Sequence, residues 1–181
     1  MSSNSPRISP IDVATAQPDV RATLDAVKAE IGMVPNLFKT LAQSPAALDG
    51  YLGLSATLGK GSLTAAQREI VALAVGQVNR CAYCLSAHTL IGKGAGLSEA
   101  AIEAARRGTG SVPADAALAA FAHLVASHRG VVEDEELAAF KQAGFDDGAV
   151  LEVIAHVALN TLTNYANHVA KTDIDFPAVT L

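Results

Sequence analysis

From Pro18 to Ala170 the chain is a succession of apolar runs set between helix start and stop signals, and strand signals do not recur. After a polar arm over residues 1–17, Pro18 to Ile31 reads as a helix stopped by Gly32, and Asn36 to Gln43 as a short second one. Ser44 and Pro45 supply an N-cap and a first-turn proline for a helix to about Leu58, where Gly59 and Gly61 end it. Thr64 with Gln67 makes a capping box for the helix that carries Glu69 to Val78. The next helix begins near Cys81 and ends in the glycines between Gly92 and Gly96, and Ser98 caps one that reaches Arg107. Beyond the loop GTGSVP, Pro113 or Asp115 opens a helix to about His128. Glu133 to Gln142 form a short one, and Asp146 starts the last, to about Ala170. Residues 171–181 read as an extended tail. The pattern predicts an all-α bundle of about eight or nine helices in a single domain spanning 1–181.

Composition strengthens the helical reading. The chain has 36 Ala, half its residues are hydrophobic, only 4% are aromatic and none is Trp. Alanine favours helices and lets their axes approach, while the residues that fill sheets are scarce. Collagen-like, disordered and disulfide-framework classes do not fit 14 Gly, 7 Pro and 2 Cys. A net charge of −5 with mixed signs leaves no basic stripe for phosphates, so nucleic acid is not an expected partner. The start MSSNSPRISP lacks the apolar core of a secretory signal, and a cytoplasmic protein with reduced thiols is the expectation. Val153 to Ala170 is the longest stretch without a formal charge. It contains His156, Asn160, Asn164, Asn167 and His168, which hydrocarbon would penalise, so it reads as a buried helix rather than a membrane span. A weak echo, EIVALAV over EVIAHVA at an offset of 83, lays Cys81 and Cys84 over Asn164 and Asn167 and raises the idea of two related halves.

Both cysteines of the chain fall in CAYC, a spacing that random placement rarely gives. On a helix, positions i and i+3 share a face, so Cys81 and Cys84 can close a disulfide with little backbone movement. His88 lies four residues further on the same stripe, where an imidazole can take the Cys84 proton and stabilise the thiolate. Cys81, near the helix N-terminus, has its own means of activation in the unpaired N–H groups there. The plainer alternative is two small buried hydrophobes and a core histidine. Glu69, twelve residues before Cys81, is either an exposed carboxylate or, if antiparallel packing brings it toward His88, a partly buried proton relay. His156, Asn160, Asn164 and Asn167, spaced four, four and three, form a polar stripe on an apolar helix. The stripe could be a solvent face, a hydrogen-bonded seam between subunits or within the fold, or a wall of the active site. His123, His128 and His168 read as helix-end or surface residues.

The pattern E-x11-C-x2-C-x3-H, here Glu69, Cys81, Cys84 and His88, resembles the signature of the AhpD-like alkylhydroperoxidases in the carboxymuconolactone decarboxylase superfamily. MVPNLF, EIVALAVGQVNRCAYCLSAHT, NTLTNYANHVA and TDIDFP are similar to its peroxidase-related branch. The resemblance implies an all-helical fold with the cysteine pair at the N-terminal end of a central helix. It also implies a homo-oligomer: a dimer, trimer or hexamer. It implies that Cys84 attacks a hydroperoxide, Cys81 resolves the resulting sulfenic acid as a disulfide, and His88 and Glu69 carry the proton. An external dithiol, lipoyl-bearing or thioredoxin-like, would restore the thiols, and no cofactor or metal is called for. Where relatives carry a second histidine between the cysteines, this chain has Tyr83, a poor base at neutral pH. The candidate site is therefore Cys84, Cys81, His88 and Glu69, with Tyr83, Asn160, Asn164 and His156 as possible wall. Competing readings are a zinc site of Cys81, Cys84 and His88 with Glu69 or another histidine as fourth ligand, and a lactone decarboxylase.

Overall fold

In a computed structural model, which describes residues 5–181, the chain is helical throughout, with no strand among the described residues. A 3-10 turn, Val13–Thr15, precedes nine α-helices. They are α1 (Pro18–Ile31), α2 (Asn36–Leu41), α3 (Pro45–Leu58), α4 (Ala65–Val78), α5 (Ala82–Gly94), α6 (Glu99–Arg106), α7 (Pro113–Ser127), α8 (Asp134–Gln142) and α9 (Asp147–Ala170). The local chemistry sets these boundaries. Ser44 accepts from the Ala47 N–H at the start of α3, and Thr64 and Gln67 complete the capping box of α4. Helix α2 stops two residues short of the expected Gln43, because the chain must turn there to place Ser44 as the next N-cap.

Helix α4 is the hub and is flanked by α5, α6, α7 and α9. Ile70 through Gly76 are buried without interruption, as a helix enclosed on every side requires, and Ala72, Ala74 and Gly76 let the neighbouring helices close on it. Around it lies the larger core, ending in a stack of Phe121, Phe140 and Phe145. A second, smaller core joins α1, α2 and α3 through Val20, Leu24, Leu37, Phe38, Leu41 and Leu48, and Cys81, Tyr83 and Cys84 are part of it. The thiols thus sit where the first turn of α5 meets the N-terminal helices.

The segments before α1 and after α9 are tied down among the described residues. Arg7 and Ile8 donate their N–H groups to the carbonyl of Ala170, and Ile11 donates to Lys39. The tail has no helix but is held at several points: Asp175 by Asn36 and Tyr83, Val179 N–H by Ser86, and the Thr180 carbonyl by Arg106. Helix α9 reverses the usual sidedness. His156, Asn160, Thr163, Asn164 and Asn167 are buried, while Leu151, Ile154, Leu162, Tyr165 and Val169 are exposed. The stripe is therefore no solvent face. Nor does the echo describe two equivalent halves: α9 is unbroken, whereas the segment it echoes is two helices joined by a turn. No helix of the described residues is long and apolar enough to cross a membrane.

Candidate functional site

The site is made by the turn from α4 to α5. Arg80 takes a left-handed conformation (φ 54°), the Cys81 N–H reaches back to the Gly76 carbonyl at 2.9 Å, and the Arg80 N–H reaches Gln77 at 3.0 Å. This is the Schellman closure of a helix, with arginine where glycine is the usual residue. It reverses the chain within two residues and sets α5 antiparallel along α4. Gly76 makes the approach possible, since a Cβ there would press on Leu85 at 3.3 Å and lie 3.9 Å from the Cys84 Cβ.

The turn also makes Cys81 the N-cap of α5, with its Sγ accepting the Cys84 N–H at 3.3 Å. A sulfur fills the place usually held by a serine, threonine or aspartate oxygen. The two sulfurs face each other at 2.6 Å, and both residues are buried. Further along the antiparallel pair, His88 Nδ1 meets Glu69 Oε2 at 2.8 Å, with both side chains only partly accessible. Of the alternatives left open for Glu69, the structure takes the partnered one.

Proton affinities follow from these contacts. The hydrogen bond with Cys81 pulls the Cys84 thiol down to about 6 against the opposing effect of burial. The charge on His88, the hydrogen bond from Asn167 and the nearby Asn164 amide act in the same direction. Cys81 is driven the other way, chiefly because its thiol donates to Cys84 and because it is buried. Burial alone would lower His88, but the charge and hydrogen bond of Glu69, then the charge on Cys84, raise it above the ordinary imidazole value. The arrangement favours a Cys84 thiolate, a Cys81 thiol and an imidazolium at His88 held by a carboxylate. Cysteine as N-cap does not by itself decide which sulfur is charged: Cys84 receives more donors.

Residues 43–127, from the residue pair before α3 to the end of α7, match the model of the carboxymuconolactone decarboxylase family. That span contains Glu69, Cys81, Cys84 and His88. The match covers the central segment, and the fold as a whole is AhpD-like. The fold is shared with the alkylhydroperoxidase AhpD core of a peroxidase-related protein from Ralstonia eutropha, at a TM-score of 0.85, 24% identity and coverage of 94% of this chain and 92% of that one. A peroxidase-related protein from Silicibacter sp. superposes at 0.81, with 19% identity over 96% and 95% of the two chains. The debrominase Bmp8, in complex with 2,3,4-tribromopyrrole, superposes at 0.79, with 18% identity over 93% and 91%. Against curated proteins no sequence match is found.

Within this AhpD-like frame the wall residues separate into distinct groups. Asn167 donates from Nδ2 to the Cys84 sulfur at 3.3 Å, and Asn164 accepts at Oδ1 from Asn79 at 2.8 Å. Asn160 spends its amide on the carbonyl of His156, one turn back in its own helix. His156 faces Glu152 at 4.0 Å rather than the thiols. The Tyr83 ring shares the small core with the cysteines, but its hydroxyl donates to Asp175 at 2.7 Å and accepts from the Leu37 N–H at 3.1 Å. Burial, chiefly, raises its pKa, so it holds the tail rather than replacing the missing histidine as a base. The described residues hold no group of three or more His, Cys, Asp or Glu side chains placed to bind a metal ion. The zinc arrangement of Cys81, Cys84, His88 and Glu69 is therefore not assembled.

Tyr51 is the residue that sequence reasoning missed. It stacks obliquely on Phe38 at 5.4 Å, and burial pushes its hydroxyl up to about 12, with the charges of Cys84 and Glu69 adding to the effect. A lone tyrosine in a helix carries no signal that it packs against the core that holds the thiols. Asn79 was equally silent, since its role rests on a contact with a residue 85 positions away.

Proposed function

We propose that the protein is a thiol-dependent hydroperoxidase with an antioxidant role, working through a Cys84–Cys81 dithiol and disulfide cycle. The observation that carries this reading is the pairing of a depressed Cys84 thiol with the Cys81 sulfur 2.6 Å away and, one turn further along α5, His88 held by Glu69 of α4. The Cys84 thiolate attacks the terminal oxygen of ROOH. The S–O bond forms as O–O breaks, sulfur loses two electrons, and the departing alkoxide takes the His88 proton to leave as ROH. Cys81 then attacks the sulfenic sulfur: S–S forms, S–O breaks, and hydroxide leaves with the Cys81 proton as water. A nearby resolving thiol stops further oxidation of the sulfenic acid. An external dithiol, lipoyl-bearing or thioredoxin-like, reduces the disulfide by exchange through a mixed disulfide.

The decisive experiment is peroxide consumption over several hydroperoxides and dithiol donors, with 2,3,4-tribromopyrrole as contrast substrate. Cys84→Ser abolishes consumption, and Cys81→Ser permits one turnover and leaves a trappable sulfenate at Cys84. Sulfenate on Cys81 would reverse the two roles. Turnover of the bromopyrrole alone would replace the peroxidase reading with a dehalogenase one. A homo-oligomer belongs to the same reading. A second copy of the chain covers the outer face of α9, where Leu151, Ile154, Leu162, Tyr165 and Val169 recur at helical spacing. Sedimentation of wild type against Tyr165→Asp tests it, the variant dissociating.

A further inference from the structure

The mechanism above uses Cys84, Cys81, His88 and Glu69 and leaves two buried amides beside the attacking sulfur without a role. Asn164 is fully buried and Asn167 is 5% exposed, so each polar atom they carry requires a partner. Half of that requirement is met. Asn167 Nδ2 donates to Cys84 Sγ at 3.3 Å, and Asn164 Oδ1 accepts from Asn79 Nδ2 at 2.8 Å. The other half is open: Asn167 Oδ1 and Asn164 Nδ2 have no hydrogen-bond partner among the described residues and are shielded from solvent. One open atom accepts and the other donates.

A hydroperoxide presents the complementary pair at its reacting end, an O–H that donates and an oxygen that accepts. We propose that Asn167 and Asn164 form an amide cradle that seats the terminal O–H of a hydroperoxide against the Cys84 sulfur. Asn167 serves both partners of the reaction. Its N–H holds the sulfur while its carbonyl takes the peroxide O–H, so one rigid planar group sets the approach of nucleophile to electrophile. Asn164 donates to the oxygen that sulfur captures, and continues to do so in the sulfenic acid. Asn79, anchored at the end of α4, fixes which way the Asn164 amide points. Atoms and electrons are those of the peroxide step already written, which this inference assumes, with the cradle contributing hydrogen bonds and no bond changes. These are positioning residues, and their chemistry selects substrates with an O–H on the reacting atom. A carbon–halogen centre offers none.

The test compares two reagents on the Cys81→Ser protein, where Cys84 is the only thiol. Iodoacetamide needs the thiolate but no seat for an O–H, whereas a hydroperoxide needs both. The variants are Asn167→Leu, Asn167→Asp, which keeps the shape while removing the donor, and Asn164→Ala, with circular dichroism reporting folding. Ultraviolet absorbance of the thiolate against pH should rise in midpoint by about one pH unit in both Asn167 variants. With the thiolate fully formed, alkylation of Asn167→Leu should match wild type, while the peroxide rate falls about tenfold further. Asn164→Ala should show the peroxide loss with a smaller change in midpoint. Equal losses toward both reagents, or no loss beyond the thiolate fraction, overturns the cradle. A wild-type protein that alkylates readily but reacts with no hydroperoxide overturns the hydroperoxidase reading and the oxygen half of the cradle together. The absorbance shift then still decides whether Asn167 holds the sulfur.

Discussion

Glu69–His88 and Glu152–His156 are built from the same two residue types, yet they handle the proton in opposite ways. In the first pair the carboxylate oxygen lies 2.8 Å from the imidazole nitrogen, and His88 is raised. In the second the separation is 4.0 Å, His156 is lowered by burial above all, with Arg68 adding to it, and its Nε2 has no hydrogen-bond partner. The difference lies in what else the carboxylate does. Burial would raise Glu152, but the Ser62 hydroxyl and the N–H groups of Leu63 and Ser62 outweigh it, so its pKa falls. Its charge is committed to the chain just ahead of α4, and little is left for the histidine. Glu69 has no such engagement. A carboxylate therefore raises its histidine only where it has an oxygen to spare, and the surroundings, more than the pair, decide the direction of the shift.

Exchanging the two carboxylates for neutral residues separates those roles. Glu69→Gln should cut peroxide consumption at neutral pH by about a hundredfold, because His88 loses the charge that keeps it protonated. Steady-state assay checks this, and an unchanged rate would remove the relay. Glu152→Ala should instead cost about 2–3 kcal/mol of stability by leaving the N–H groups ahead of α4 unpartnered, with activity per folded molecule retained. Chemical denaturation reads that loss.

pH separates the pairs again. Alkylation of Cys84 should inflect near pH 6 in the wild type, and higher in Glu69→Gln but not in Glu152→Ala. Stability follows the same signs. The raised His88 contributes most below its unfolded value near 6.5, and that contribution disappears as pH climbs through the folded one. The lowered His156 and Glu152 contribute above their unfolded values and lose it as pH falls through the folded ones. The stability gap between Glu152→Ala and wild type should therefore narrow as pH falls, while that of Glu69→Gln should widen below about pH 6.5, where wild-type His88 is held protonated. The smallest effect is expected at Arg80→Gly, at the turn that aligns the first pair. Relief of the left-handed arginine should add about 1 kcal/mol, read as a modest rise in Tm.

Much of this molecule is legible in its sequence because helix ends are local chemistry. Ser44, Thr64, Ser98 and Asp146 cap the helices they precede, and Gly32 stops α1 in the left-handed form. The cysteine pair, His88 and Glu69 are legible because they lie on two consecutive helices whose antiparallel packing follows from the short turn. What does not read out is long-range. Which way the α9 stripe faces, the meeting of Asn167 with Cys84 across 83 residues, the place of Tyr51, and the grip of Asp175 on Asn36 and Tyr83 all depend on contacts that no window of sequence contains.

The tail contact has a consequence for synthesis. The thiols emerge from the ribosome in the middle of the chain, but their setting is completed from its far end: Asn164 and Asn167 in the last turns of α9, then Asp175 against Tyr83. A nascent chain that has emerged only through α8 carries both cysteines with no amide at the sulfur and no anchor on the residue between them. The contacts that α9 adds at the Cys84 sulfur and the tail adds at Tyr83 therefore form late in translation.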